Sequence, residues 1–186
     1  MGFLDQIKAR WAMVNIKANT SRGKKVTGLQ DAKRIGIIYE ATDREIFEVV
    51  RGFINELREQ QKDISSLGFV NVKYEEEIPK SKLGMDFFGP KSLNFGLKSA
   101  DITVLNFVKE KFDVLLDLNL DANPVLLNIT ADSKSGFIIG NGDGGKIFRD
   151  LYFEDPANHK PNSVREAKLK QLQTLIDNIK KYATRL

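Results

Sequence analysis

The chain has 186 residues, no cysteine, a single histidine and a net charge of +4, with 41% hydrophobic and 29% charged residues. Those values exclude disulfides, thiolate metal sites, cysteine nucleophiles and a histidine pair, and they fit one domain with a sizeable core rather than a disordered or membrane-embedded chain. The charge is segregated: residues 1–34 carry eight Lys/Arg against two Asp/Glu, residues 35–161 fifteen against twenty-one, and the last 25 six against two.

Residues 2–18 (GFLDQIKARWAMVNIKA) place Phe3, Ile7, Trp11 and Val14 on one helical stripe, with Lys8, Arg10 and Lys17 off it. NTSRGKKVTGLQD then reads as a basic linker. RIGIIYE (34–40) has the look of a buried strand, and Thr42 with Glu45 forms a capping-box pattern that opens a helix to about Gln61. Its core face is Ile46, Val50, Phe53, Ile54 and Leu57. A second strand is expected near 68–74, followed by an irregular stretch with a short extended piece near 86–88. LKSADITVLNFVKEK predicts a helix with Ser99 as N-cap, and FDVLLDLN (112–119) a third strand. Asn123-Pro124 opens a helix to about Ser133, with proline at its favoured first position. GFIIG (136–140) and FRDLYFED (148–155) complete five strands, and Ser163 with Glu166 caps a long last helix with Leu172, Leu175, Ile176 and Ile179 inward.

This alternation predicts an α/β fold: a three-layer, mostly parallel sheet of about five strands with helices on both faces, plus an N-terminal helical arm. Residues 1–33 form the basic arm and linker, and 34–186 a single α/β domain ending in the long helix. No apolar run approaches the roughly 18 residues of a membrane span, and the first ten residues lack the basic-then-apolar pattern of a signal peptide. Gln6 stands where a myristoylation signal has Ser or Thr. A cytoplasmic location follows as the expectation.

The chemical motifs are thin. His159 lies in a polar, proline-flanked stretch, where a solvated loop histidine is the expectation. Gly140-Asn-Gly-Asp-Gly-Gly145 matches G-x-G-x-x-G after a strand, but β-like sequence follows it where a helix is required. It reads as a turn, with an anion-holding loop as the alternative. Asp117-x-Asn119-x-Asp121 begins like a calcium loop but continues with Ala122 and Asn128 in place of the Gly and Glu. It reads as a strand end entering a polar turn, with a single divalent ion on Asp117 and Asp121 as the alternative. Ser133, Lys134 and Ser135 offer an anion contact, while Gly136 suits a helix C-cap. Glu75-Glu76-Glu77 reads as a solvated charge run.

Several segments together resemble an uncharacterised family of small α/β proteins of Bacteroidota, a domain of unknown function. They are the leader helix with its basic linker, RIGIIYEATD, FFGPKSLNFG, and FDVLLDLN followed by SKSGFIIG. The resemblance spans most of residues 1–155; Ser135 and Ile139 depart from the family's usual Ala-Lys-Phe-Lys-Val-Gly. It implies a small α/β fold and no established activity. The strand-end glycine pattern is also similar to one half of a two-domain glycosyltransferase, a likeness of fold alone.

Two function classes remain. The first is a non-enzymatic domain that binds a macromolecular partner, RNA or a ribonucleoprotein surface foremost, through Lys8, Arg10, Lys17, Arg22, Lys24 and Lys25. The amphipathic first helix also suits a protein partner, self-association or an anionic membrane surface. The second is a small enzyme or ligand-binding protein, glycosyltransferase-like or phosphate-binding, at the carboxyl ends of the strands. Its candidates are Asp43, Asp117, Asp121, Lys134, Gly140 and Gly142. No resident cofactor or metal is expected for either.

Overall fold

The computed structural model describes residues 3–17 (side chains from residue 6), 19–72, 77–142, 148–154 and 164–186. Six strands form one sheet: β1 (Arg34–Glu40), β2 (Asp63–Phe69), β3 (Met85–Phe88), β4 (Val114–Asp117), β5 (Phe137–Asn141) and β6 (Leu151–Phe153). Their order is β3-β2-β1-β4-β5-β6, and every neighbouring pair is parallel. The expected α/β architecture is therefore present, with the extended piece near 86–88 supplying the sixth strand. β1 lies at the centre, its Ile35 to Ile38 opposite Val114 to Asp117 of β4.

Strand sequences lack alternation because both sheet faces are covered. Ile35, Ile37 and Tyr39 of β1, with Val114 and Leu116 of β4, enter one core beneath α2 (Arg44–Glu59) and α5 (Val164–Tyr182). Ile38, Leu115 and Ile138 enter the other, beneath α3 (Ile102–Lys109) and α4 (Pro124–Asp132). At Gly36 the second face has no room for a side chain, since a Cβ there would lie 2.7 Å from Cδ2 of Phe112.

Three local expectations shift. β2 lies at Asp63–Phe69 rather than 68–74, because its Ser65, Ser66 and Gly68 carry no apolar signal although Ser66 is fully buried. Asp43, not Thr42, caps α2, accepting from the amides of Glu45 and Ile46; the Thr42 hydroxyl instead accepts the Asn71 amide and joins the ends of β1 and β2. Asp101, not Ser99, caps α3, while Ser99 Oγ accepts the Asp101 amide. Asn123 caps α4, accepting from Val125 N at 3.0 Å ahead of Pro124. The Ser163 cap, His159, Glu75 and Glu76 lie outside the described residues.

The first helix, α1 (Phe3–Asn15), turns its expected stripe outward: Ala12 is 1% exposed, but Trp11 is 49% and Val14 85%. Trp11 meets Phe95 edge-on, with ring centroids 5.5 Å apart. The segment after α1 is tied to the amino end of the sheet by Asn19 N to Ala131 O (2.8 Å) and Lys25 N to Gly136 O (3.0 Å). It then meets the far end of α5, with Leu29 N donating to Ala183 O at 2.8 Å and Gln30 N to Thr184 O at 3.1 Å. Gly28 is required there, because a Cβ would come within 2.7 Å of Thr184 O. No described helix is long and apolar enough to cross a membrane.

Candidate functional site

In an open parallel sheet the chain reverses its direction of travel between the two strands that flank the start point, here β1 and β4. Their carboxyl ends splay apart and leave a crevice, the usual ligand position in this architecture. Two adjoining cavities open there. One, of about 330 Å³, is walled by Ile46, Leu118, Leu120 and Leu172 and edged by Asp43 and Arg165. The other, of about 720 Å³, runs toward Phe69, Asn71, Leu93 and Val125. Glu40, Asp121 and Lys168 line both.

Glu40 is the last residue of β1 and is partly buried. Burial pushes its carboxyl above the ordinary range; Lys168 opposes the shift, Asp121 adds to it, and a hydrogen bond with Asn123 opposes it again. Lys168 Nζ donates to Asp121 Oδ2 at 2.5 Å, and that bond, against some desolvation, raises the lysine above its usual value. A carboxyl that holds its proton unusually well beside a fixed ammonium is equipped for proton transfer or for binding a polar ligand.

The phosphate seat common to this strand order is filled. Phosphates bind where a helix N-terminus presents free N–H groups. At α2 the Asp43 carboxylate takes those of Glu45 and Ile46, and its charge is fixed on Arg165 at 2.8 Å. Desolvation works against the ionised Asp43, but these hydrogen bonds prevail and hold it below the ordinary value. At α4, Asn123 takes the Val125 amide and Pro124 has none.

Among the residues singled out from sequence, Asp43 and Asp121 come together in this crevice. Asp117 lies nearby but is fully buried and committed to Arg149, whose Nη2 donates to Oδ2 at 2.6 Å. Thr130 Oγ1 donates to the same oxygen at 2.9 Å, so the carboxylate is not displayed to a metal ion. Asn119 is buried with no side-chain hydrogen-bond partner among the described residues. Gly140 and Gly142 make room for neighbours: a Cβ at Gly140 would lie 2.5 Å from Asp117 O, and one at Gly142 2.7 Å from Glu154 Cγ. Asp143 to Gly145 fall outside the described residues. Lys134 lies at the opposite end of the sheet, beside Lys25, Lys111 and Gly136.

Within the basic segment, the Arg22 side chain is 7% exposed and grips both carboxylate oxygens of Asp150, at 2.6 and 2.7 Å, with Lys24 on the same group at 3.1 Å. Burial alone would raise Asp150, but these cations and the Ile138 amide hold it below its ordinary value. Lys8 lines the larger crevice cavity and stands over the Phe95 ring, while Arg10, Lys17 and Lys25 are exposed.

Sequence reasoning missed Glu40, Arg165 and Lys168. Glu40 ends an apolar strand and the other two sit on a charged helix face, so no motif joins them; only the sheet order does. A family model described as a family of unknown function (DUF6913) matches residues 8–184, in keeping with the resemblance to a domain without assigned activity. No curated protein and no solved structure matches the chain.

Proposed function

The chain belongs to the DUF6913 family of unknown function, and from that premise we propose that it binds a small, polar, non-phosphorylated ligand in the crevice between β1 and β4, with Glu40 as the acid–base group. The observation that carries this reading is that two adjoining cavities at the sheet's reversal point share Glu40, Asp121 and Lys168. Half-apolar walls of Ile46, Leu118 and Leu172 would take the ligand's carbon skeleton, and the charged row its hydroxyls or amines. The self-capped helices α2 and α4 weigh against nucleotides.

The test is a thermal-shift screen of sugars, polyols and small amines beside a nucleotide panel, followed by calorimetry. A hit from the first group should lose about tenfold or more in affinity on Lys168→Met and on Glu40→Gln, the scale of one charge-assisted hydrogen bond. Binding that survives both substitutions, or hits confined to nucleotides, would remove the reading.

Glu40 also makes a prediction that needs no ligand. Its folded-state pKa is raised above the ordinary carboxylate value of 4.5. The folded state therefore binds the proton more tightly than the unfolded state does. The stability this contributes is complete below that ordinary value and is lost as pH rises through the folded pKa. Glu40→Gln removes the loss: the variant should match the parent in acid and exceed it in stability at neutral pH, measured by urea denaturation across that range. A variant less stable than the parent at pH 7 would mean that the carboxylate is a structural group.

A further inference from the structure

We propose that the amino end of the sheet carries a second binding surface, a lysine-rimmed groove that takes the phosphate backbone of single-stranded RNA. The groove, about 540 Å³, is assembled from three distant parts of the chain. Lys25 comes from the segment after α1, Lys111 from the turn into β4, and Lys134 from the turn into β5; all three are exposed. Their convergence depends on the docking of residues 19–25, for which Arg22 is the anchor: its guanidinium is spent on Asp150 and on the Ser135 carbonyl. Arg22 therefore builds the surface and does not touch the ligand.

The carboxylates in the neighbourhood are already engaged. Asp113 accepts the amides of Lys33 at 2.8 Å and Arg34 at 3.0 Å, and these bonds, with Lys25 and Lys33 close by, hold it below its ordinary value. Asp150 takes Arg22, Lys24 and the Ile138 amide. Three lysine ammonium groups on the rim therefore outnumber the one charged carboxylate of its lining, Asp113, and each can displace a counterion from a phosphate. Phe112 at the floor is buried, so among the described residues the groove presents no ring for a base to stack on. Binding is by backbone charge, without sequence preference.

Fluorescence anisotropy of a labelled oligouridylate with the full chain, over about 50–200 mM salt, tests this. The parent should bind with an affinity that falls steeply with salt. The combined Lys25→Glu, Lys111→Glu and Lys134→Glu variant should lose at least about tenfold at low salt, and its log–log salt slope should fall by about 0.7 per phosphate contact removed. Arg22→Ala should weaken binding too, by freeing Lys25 from the rim. A parallel α1 variant, Arg10→Glu on the helix with Lys17→Glu just beyond its end, should bind like the parent. No binding at low salt, an equal loss in the α1 variant, or binding only to phosphatidylserine vesicles would each overturn the proposal. The crevice at the other end of the sheet is untouched by these substitutions, so a ligand found there should bind all of these variants unchanged.

Discussion

Asp117→Ala is expected to destabilise the protein by about 3–5 kcal/mol, the cost of leaving a buried guanidinium without its counter-charge. Both side chains of the Asp117–Arg149 pair are fully buried. Asp117 Oδ2 receives Arg149 Nη2 at 2.6 Å and Nε at 3.1 Å together with Thr130 Oγ1 at 2.9 Å, while Oδ1 receives the Asn119 amide at 3.1 Å. Arg149 also donates through Nη1 to the Asn141 carbonyl. The aspartate thus joins β4, α4 and the approach to β6, and its loss strands several polar groups at once. Replacing both partners with apolar residues, Asp117→Leu with Arg149→Met, removes the stranded charge and should recover most of the loss. Urea denaturation of the two variants checks this. A single variant within about 1 kcal/mol of the parent would mean that water reaches Arg149 and the pair is not sealed.

Phe112→Ala should cost about 3–5 kcal/mol, the range for removing a buried aromatic ring. Phe112 is 2% exposed and packs on Phe107 with ring centroids 4.8 Å apart. It also fills the hollow that Gly36 leaves in the central strand. Gly36→Ala alone should cost about 1–3 kcal/mol by overpacking, since its new methyl would press on the ring. In the double variant that methyl enters vacated space, so the combined loss should be smaller than the sum of the two. Thermal denaturation of all three measures the coupling, and strict additivity would show that the ring and the glycine do not constrain each other.

How much of this was legible in sequence depended on the range of the interaction. The strands at 34–40, 114–117 and 137–141 announce themselves because burial on both faces demands unbroken apolar runs. β2 was displaced because Ser65, Ser66 and Gly68 fill a buried strand without looking apolar. Thr42 and Ser99 look as suited to cap α2 and α3 as Asp43 and Asp101 do, since neighbouring Asp, Ser and Thr compete for the same role and only backbone geometry decides. The α1 stripe pointed the wrong way because contact through Ala12 requires a small residue, which carries little hydrophobic signal. In the crevice, Asp43 and Asp121 were visible as strand-end acids. Glu40 and Lys168 were not, because their meeting depends on β1 lying beside β4 and α5 crossing above. Lys134 does not belong with those acids: it precedes β5, and in a parallel sheet the residues before a strand lie at its amino end, so chain order already places it away from them.

The hydrogen bonds from Leu29 and Gln30 to residues 183 and 184 have a consequence for biosynthesis. The stretch leading into β1 leaves the ribosome before any of the strands it will join, and β1 itself needs β4 on its open side. Residues 183 and 184 emerge only after all six strands have been made. β1 has β2 and β4 on its two sides once residue 117 is made, but the contact of residues 29 and 30 must wait for the last turn of α5. The layer of α2 and α5 over β1 is therefore completed last, when the end of α5 meets residues 29 and 30.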